Sequence, residues 1–307
     1  MKGTTMQRKR KWRIRRNDVN GYLFCAPLLL GIAVFSAYPM VSLLATSFRR
    51  VYGIGAKGEW VGFANYEYAL TDSVFWSSLV NTMYIGLFGM TFGTITAFIV
   101  ASLINHVKWR RLQNWFKVIY FFPNVISVVA IAILFSFLFH PSPDGVLNGV
   151  LGLFHLEPIG WFSDPAYSRI SIVIMGVWWS LGYNCIIFLA GLQSVPKELY
   201  EAAEVDGASG LRKWWSITIP FLRPIFVFFL VMGVLSAMKR FTDVWLIGGT
   251  AGNPDRTLMT SVMYIYRNAF VSAQMGLAAA ASYLLFVVIL FLAILALALN
   301  RRKDHLY

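Results

Sequence analysis

Residues 79–105 read LVNTMYIGLFGMTFGTITAFIVASLIN, a stretch without a single charged side chain. A helix of about 20 residues crosses a hydrocarbon core of roughly 30 Å, so this run is long enough to span a membrane. Four more uncharged runs have comparable length, at 21–48, 118–140, 170–196 and 268–300, and a shorter one lies at 224–238. The expected fold is an all-α, polytopic membrane protein with about six transmembrane helices, at about 21–48, 79–105, 118–140, 170–193, 220–239 and 275–300. A helical loop over 194–220 joins the fourth and fifth spans. Residues 1–20 form a basic N-terminal segment, 21–300 the membrane domain and 301–307 a tail.

Composition agrees with lipid as the solvent. Hydrophobic residues make up 58% of the 307 positions and charged ones only 13%, about half the charged share of a soluble domain. The net charge of +13 is explained by placement rather than by nucleic acid. With the N-terminus inside, nineteen of the 27 Lys and Arg fall in cytoplasmic segments: eight before Asn17, then Lys108, Arg110, Arg111, Lys117, Lys197, Arg212, Lys213, Arg223, Arg301, Arg302 and Lys303. The outer loops are close to neutral, which is the positive-inside pattern. Both termini are then cytoplasmic, and no nucleic-acid partner is expected.

The basic stretch before the first apolar run resembles a signal peptide, but the run is about twice as long as a cleavable hydrophobic segment. Cys25 and Cys185 lie inside apolar runs and make no disulfide or metal pattern. The four histidines are scattered, no phosphate-binding glycine loop is present, and no metal or catalytic site is expected. The outer loops carry turn signals around Pro141–Gly145 and Asn253–Pro254, with Trp60, Trp161, Tyr264 and Tyr266 placed for the membrane interface.

A loop at 194–220 reads SVPKELYEAAEVDGASGLRKWWSITIP. Its chemistry predicts a short helix with Ser194 as N-cap and Pro196 in the first turn, stopped by Gly207 in a left-handed conformation. Ser209 caps a second short helix that ends before Pro220. One reading is an interfacial connector whose Glu198, Glu201, Glu204 and Asp206 are solvated. The other is a docking element, because acidic residues suit an anionic inner leaflet poorly and Ala202 and Ala203 allow close approach of a protein groove.

The spacing Glu201-Ala202-Ala203, Gly207, Ile217, Ile219-Pro220 resembles the E-A-A loop of permease subunits in binding-protein-dependent ABC importers, with Ile219 where Leu is usual. Segments 60–66, 161–165, 189–193, 264–267 and 275–280 extend the likeness along the chain, toward carbohydrate importers of the maltose and glycerol-phosphate type. The resemblance implies a permease with no catalytic site or cofactor of its own, in the cell membrane of a prokaryote. Two partner ATPase subunits would use ATP and Mg, a second homologous permease would complete the pore, and an extracytoplasmic solute-binding protein would deliver a sugar, possibly acidic. Glu201, Ala202, Ala203, Asp206 and Gly207 would couple to the ATPases.

The same resemblance places the solute pathway at Asn124, Val128, Trp179, Ser180, Tyr183, Gly233 and Ala237. Trp179 and Tyr183 suit a sugar face, or fill a helix interface; Gly233 and Ala237 equally suit a small-residue packing seam. Lys239 and Arg240 end a short fifth span, where one reading gives them an anionic solute and the other pairs Arg240 with Asp243. An ion-coupled secondary carrier is the alternative from a different class; it needs ionisable residues within the spans, and the five long runs have none.

Overall fold

The computed structural model describes residues 16–53 and 55–301. Most of the basic N-terminal segment and all but the first residue of the tail lie outside the described residues, as does the side on which the termini were expected. The first span is a bent helix, α1 (Arg16–Ile32) and α2 (Tyr38–Ser47), joined by a π-helical turn at Ala33–Ala37. A pair of two-residue strands follows, β1 (Arg49–Arg50) and β2 (Glu59–Trp60), antiparallel with Arg49 opposite Trp60. Helix α3 (Ala64–Thr71) leads into α4 (Ser73–His106), which at about 1.5 Å per residue outruns the hydrocarbon core. Asp72 caps α4 by accepting from the Val74 N–H at 2.8 Å.

The third expected span is not one helix. It is α5 (Arg110–Val125) and α6 (Val128–Leu138), bent by 99° at Ile126 and Ser127. Pro123 removes a donor from the last turn of α5, and Ser127 turns its side chain to the Ala130 N–H at 3.3 Å, starting a new helix in a new direction. Helix therefore also occupies most of 106–117, between the second and third expected spans. After α7 (Val146–Leu153), the fourth span is α8 (Pro165–Gln193), capped by Asp164 with Pro165 in the first turn.

The connection to the fifth span contains α9 (Lys197–Val205), α10 (Gly210–Lys213), a π-helical turn at Trp214–Thr218 and α11 (Ile219–Phe221). It bends by 59° into α12 (Arg223–Met238), where Leu222 leaves the helical conformation and Pro224 sits in the first turn. The next segment holds α13 (Thr242–Gly248) and α14 (Ser261–Tyr266), and α15 (Met275–Arg301) is the last span. Among the described residues, four helices are long and apolar enough to cross a membrane, or six when each bent pair is one span. Large exposed apolar side chains along α1, α2, α4 and α15 are what a lipid-facing or partner-facing surface requires.

Helices α4 and α8 pack along each other and carry two separate cores. One gathers Ile85, Ile131, Phe135, Ile172, Met175, Val244 and Met259; the other gathers Phe98, Ala101, Ile104, Phe188, Leu192, Leu222 and Phe229. Glycines permit the close crossings: a Cβ on Gly182 would lie 2.0 Å from the Tyr120 carbonyl oxygen, and one on Gly86 would lie 2.4 Å from the Ala237 Cβ. Residues 86–94 of α4 and 176–184 of α8 lie between the two cores, and there the packing opens.

Candidate functional site: a mid-span cavity and a braced helical hairpin

A cavity of about 620 Å³ occupies that opening. Helix α4 contributes Gly86, Gly89, Met90 and Thr94, α8 contributes Gly176, Trp179, Ser180, Tyr183 and Asn184, and α12 contributes Phe228, Met232, Gly233, Ser236 and Ala237. Val128 begins the wall on α6, and Arg240, Phe241, Thr242 and Asp243 close one end. Of the expected pathway residues, Val128, Trp179, Ser180, Tyr183, Gly233, Ala237 and Arg240 share this cavity. Asn124 and Lys239 do not line it; Lys239 is exposed and Asn124 lies on α5, before the bend.

The α4 wall was missed because the pathway was sought only on spans three to five. Its signal was Gly86, Gly89 and Gly93, three small residues on one helical face at spacings of three and four. The alternative packing role of Gly233 is also real, since a Cβ there would meet the Met90 side chain at 2.4 Å. Small residues both let α4 and α12 approach and leave the cavity its width.

Arg240 leaves the end of α12 and reaches back across the cavity end. Its Nε donates to Asp243 Oδ2 at 2.8 Å, and Nη2 donates to the Ile172 carbonyl at 3.2 Å. The carboxylate is almost fully buried, with 7% side-chain exposure against 17% for the guanidinium. A buried cation without such a partner would be costly, so the pair is what allows Arg240 to sit at this depth.

At the other end of α8, Ser194 does not cap α9. Its Oγ donates to the Gly191 carbonyl at 2.7 Å and finishes α8, while the N-cap position of α9 is Pro196, without a side-chain cap. A hydroxyl so close to the last carbonyls of a long helix satisfies those first. Gly207 has φ +71°, and the Ala208 N–H reaches the Ala203 carbonyl at 2.8 Å while the Gly207 N–H reaches Glu204 at 3.0 Å, closing α9 with a left-handed cap. Ser209 starts α10 by accepting from the Arg212 N–H at 3.3 Å.

Two contacts hold this hairpin shut. Lys213 Nζ lies 2.6 Å from Glu204 Oε1, and the Tyr200 and Thr218 hydroxyls are 2.9 Å apart. Glu201, Ala202, Asp206 and Gly207 are exposed and Ala203 is half-buried. Leu199 and Val205 flank them, 44% and 89% exposed, so α9 presents an apolar and acidic face that is largely uncovered by the described residues.

Outside the spans, Tyr264 donates to Asp72 Oδ2 at 2.7 Å and is 3% exposed, so it is a buried strut rather than an interfacial anchor. Burial, and then the hydrogen bond to Asp72, push its phenol well above the ordinary tyrosine value. Trp161 is likewise tied down, its Nε1 donating to Asn148 Oδ1 at 2.9 Å.

Residues 89–305 match the family described as "Binding-protein-dependent transport system inner membrane component". The chain is 34% identical over 289 residues to the lactose transport system permease protein LacF of Rhizobium radiobacter, covering 92% of this chain and 93% of LacF. It is 32% identical over 283 residues to the arabinooligosaccharides transport system permease protein AraP of Bacillus subtilis (strain 168), covering 91% and 88%. A chain from the crystal structure of a bacterial ABC transporter involved in the import of the acidic polysaccharide alginate superposes with a TM-score of 0.82 at 26% identity, covering 94% of this chain and 97% of that one.

Proposed function

The chain belongs to the binding-protein-dependent transport system inner membrane components, and from that premise we propose that it forms half of the translocation pore of an ATP-driven sugar importer. It is a multi-pass inner-membrane permease subunit, and the family works in ABC complexes with a solute-binding protein and ATPase subunits. The observation that carries the finer reading is α9, an exposed helix with apolar and acidic residues on one face, set at the end of a hairpin braced to the spans. In this reading α9 docks into a cleft of an ATPase subunit. Glu201 makes the polar contact, Ala202 and Ala203 allow close approach, and Asp206 and Gly207 form the turn. A second homologous permease faces the cavity and completes it, and both termini are cytoplasmic.

The sugar assignment is supported by relatives named for lactose and arabinooligosaccharide transport. Aromatic rings at Trp179, Tyr183 and Phe228, with the polar side chains of Thr94, Ser180 and Asn184, suit a solute with apolar faces and a hydroxyl rim.

The test is purification of the complex from native membranes with a tagged chain. ATP hydrolysis by the copurified ATPase subunit is expected to rise when the cognate solute-binding protein and its sugar are added. A Glu201→Lys variant is expected to insert normally and lose that ATPase subunit. Full sugar uptake by membranes stripped of ATPase subunits would overturn the reading in favour of an ion-coupled carrier.

A further inference from the structure

We propose that Asp243 is a specificity-determining residue: by masking Arg240 it makes this chain's share of the cavity electrically neutral, so that the cavity accepts an uncharged glycan. The proposal rests on the cavity being the solute pathway. Among the described residues, Arg240 and Asp243 are the only charged ones that line it. The guanidinium is seated by design of the backbone: a Cβ on Gly176 would lie 2.9 Å from Nη2 and 3.1 Å from Nη1, so any larger residue there would push the guanidinium away from α8. That seat, the Ile172 carbonyl and the Asp243 carboxylate together hold Nε and Nη2.

An anionic solute therefore meets a cation already matched at hydrogen-bond distance by a buried carboxylate, and it would also approach that carboxylate. A neutral solute meets no such penalty. Nη1 has no hydrogen-bond partner among the described residues, so its N–H groups remain for a hydroxyl oxygen. The rest of the wall, with Trp179, Tyr183, Ser180 and Asn184, is uncharged.

The experiment places a cysteine in the cavity as Ser236→Cys, with Cys25→Ser and Cys185→Ala, in the complete transporter in membrane vesicles. Its modification by a sulfonate-bearing and a trimethylammonium-bearing methanethiosulfonate is compared with that of a free thiol. With the native pair, the anionic-to-cationic rate ratio is expected to match the free thiol. Asp243→Asn should raise it roughly tenfold or more, because one uncompensated cation speeds the anionic reagent and slows the cationic one. The double variant Arg240→Gln with Asp243→Asn should restore the native ratio, which separates charge from misfolding. Maltotriose should protect the cysteine from the uncharged methyl reagent better than trigalacturonate does, with the order reversed in Asp243→Asn.

A native cavity that already favours the anionic reagent, an unchanged ratio in Asp243→Asn, or equal or better protection by trigalacturonate in the native chain would each overturn the proposal while leaving the importer reading in place. A cysteine that neither charged reagent reaches would overturn the pathway reading and the proposal with it.

Discussion

The indole of Trp214 lies flat on the ring of Phe98, with centroids 4.9 Å apart and planes at 13°, and its Nε1 reaches Ser102 Oγ at 3.4 Å. Phe98 and Ser102 belong to α4, one and two turns beyond Thr94 of the cavity wall. Trp214 follows α10 directly, so the contact ties the α9–α10 hairpin to the helix that lines the cavity. The hairpin is thus joined to α4 by packed rings rather than by a flexible connector alone.

Trp214→Ala is expected to remove that link. The stack is worth about 0.5–1.5 kcal/mol beyond its buried area, too little to prevent folding of the spans. Sugar uptake should fall severalfold or more while ATP hydrolysis continues, and Trp214→Phe should recover most of the loss. The ratio of sugar imported to ATP hydrolysed in proteoliposomes measures it; an unchanged ratio in the alanine variant would refute the link.

Gly207 needs its left-handed φ for the turn, and nothing lies within 4 Å of where a Cβ would stand. The penalty of substitution is thus conformational, about 1–2 kcal/mol for a β-branched residue. Gly207→Val is expected to insert normally, lose uptake and bind the ATPase subunit more weakly, whereas Gly207→Asn should keep most activity because Asn tolerates this region. Equal uptake by the native and valine forms would refute this.

Asn148 is 2% exposed and joins its neighbourhood into one unit: its two amide N–H groups are shared among the carbonyls of His140, Pro141, Ser142 and Ile159, and its oxygen accepts from Ile159 N–H and Trp161 Nε1. Asn148→Ala leaves several of these groups unpaired, at about 1–3 kcal/mol each where they stay buried. Limited proteolysis should then cut within 140–161 at protease levels that leave the native chain intact.

Tyr264→Phe removes the bond to Asp72, an expected loss of about 1–3 kcal/mol for a hydrogen bond to a carboxylate. Because the folded phenol ionises above its unfolded value, the bond contributes fully below about pH 10 and is lost as pH rises beyond it. Thermal unfolding in detergent should separate the native and Phe forms at neutral pH, and the gap should shrink above about pH 10. A gap independent of pH would contradict the assignment.

Much was legible in the residues alone. Uncharged runs are a one-dimensional property of the chain, and lipid rewards them wherever they occur, so the all-helical membrane fold and the approximate spans followed from reading along it. The left-handed Gly207 and the Ser209 cap were local as well, set by neighbours a few residues away. The pairing of Arg240 with Asp243 was one of two readings, chosen by a three-residue spacing that the folded chain adopts.

Other features depended on competition or on distant segments. Ser194 could cap either neighbouring helix, and its hydroxyl went to the Gly191 carbonyl of α8. The run at 118–140 has the composition of one span, yet Pro123 and the Ser127 cap divide it by 99°, a direction that apolar content does not encode. Tyr264 and Trp161 looked like interfacial rings, but Asp72 and Asn148 hold them, the first buried and the second half-buried.

The sequence by itself determined what this protein dissolves in, that it is helical, and that it carries the loop of an importer permease, because each is written in composition or in short spacing. Only the tertiary structure decided that Gly86, Gly89 and Gly176 share a cavity with Trp179 and Tyr183, and that Arg240 lies in it with its charge matched. Those relations arise between helices far apart in the chain, where packing rather than local preference selects the neighbours.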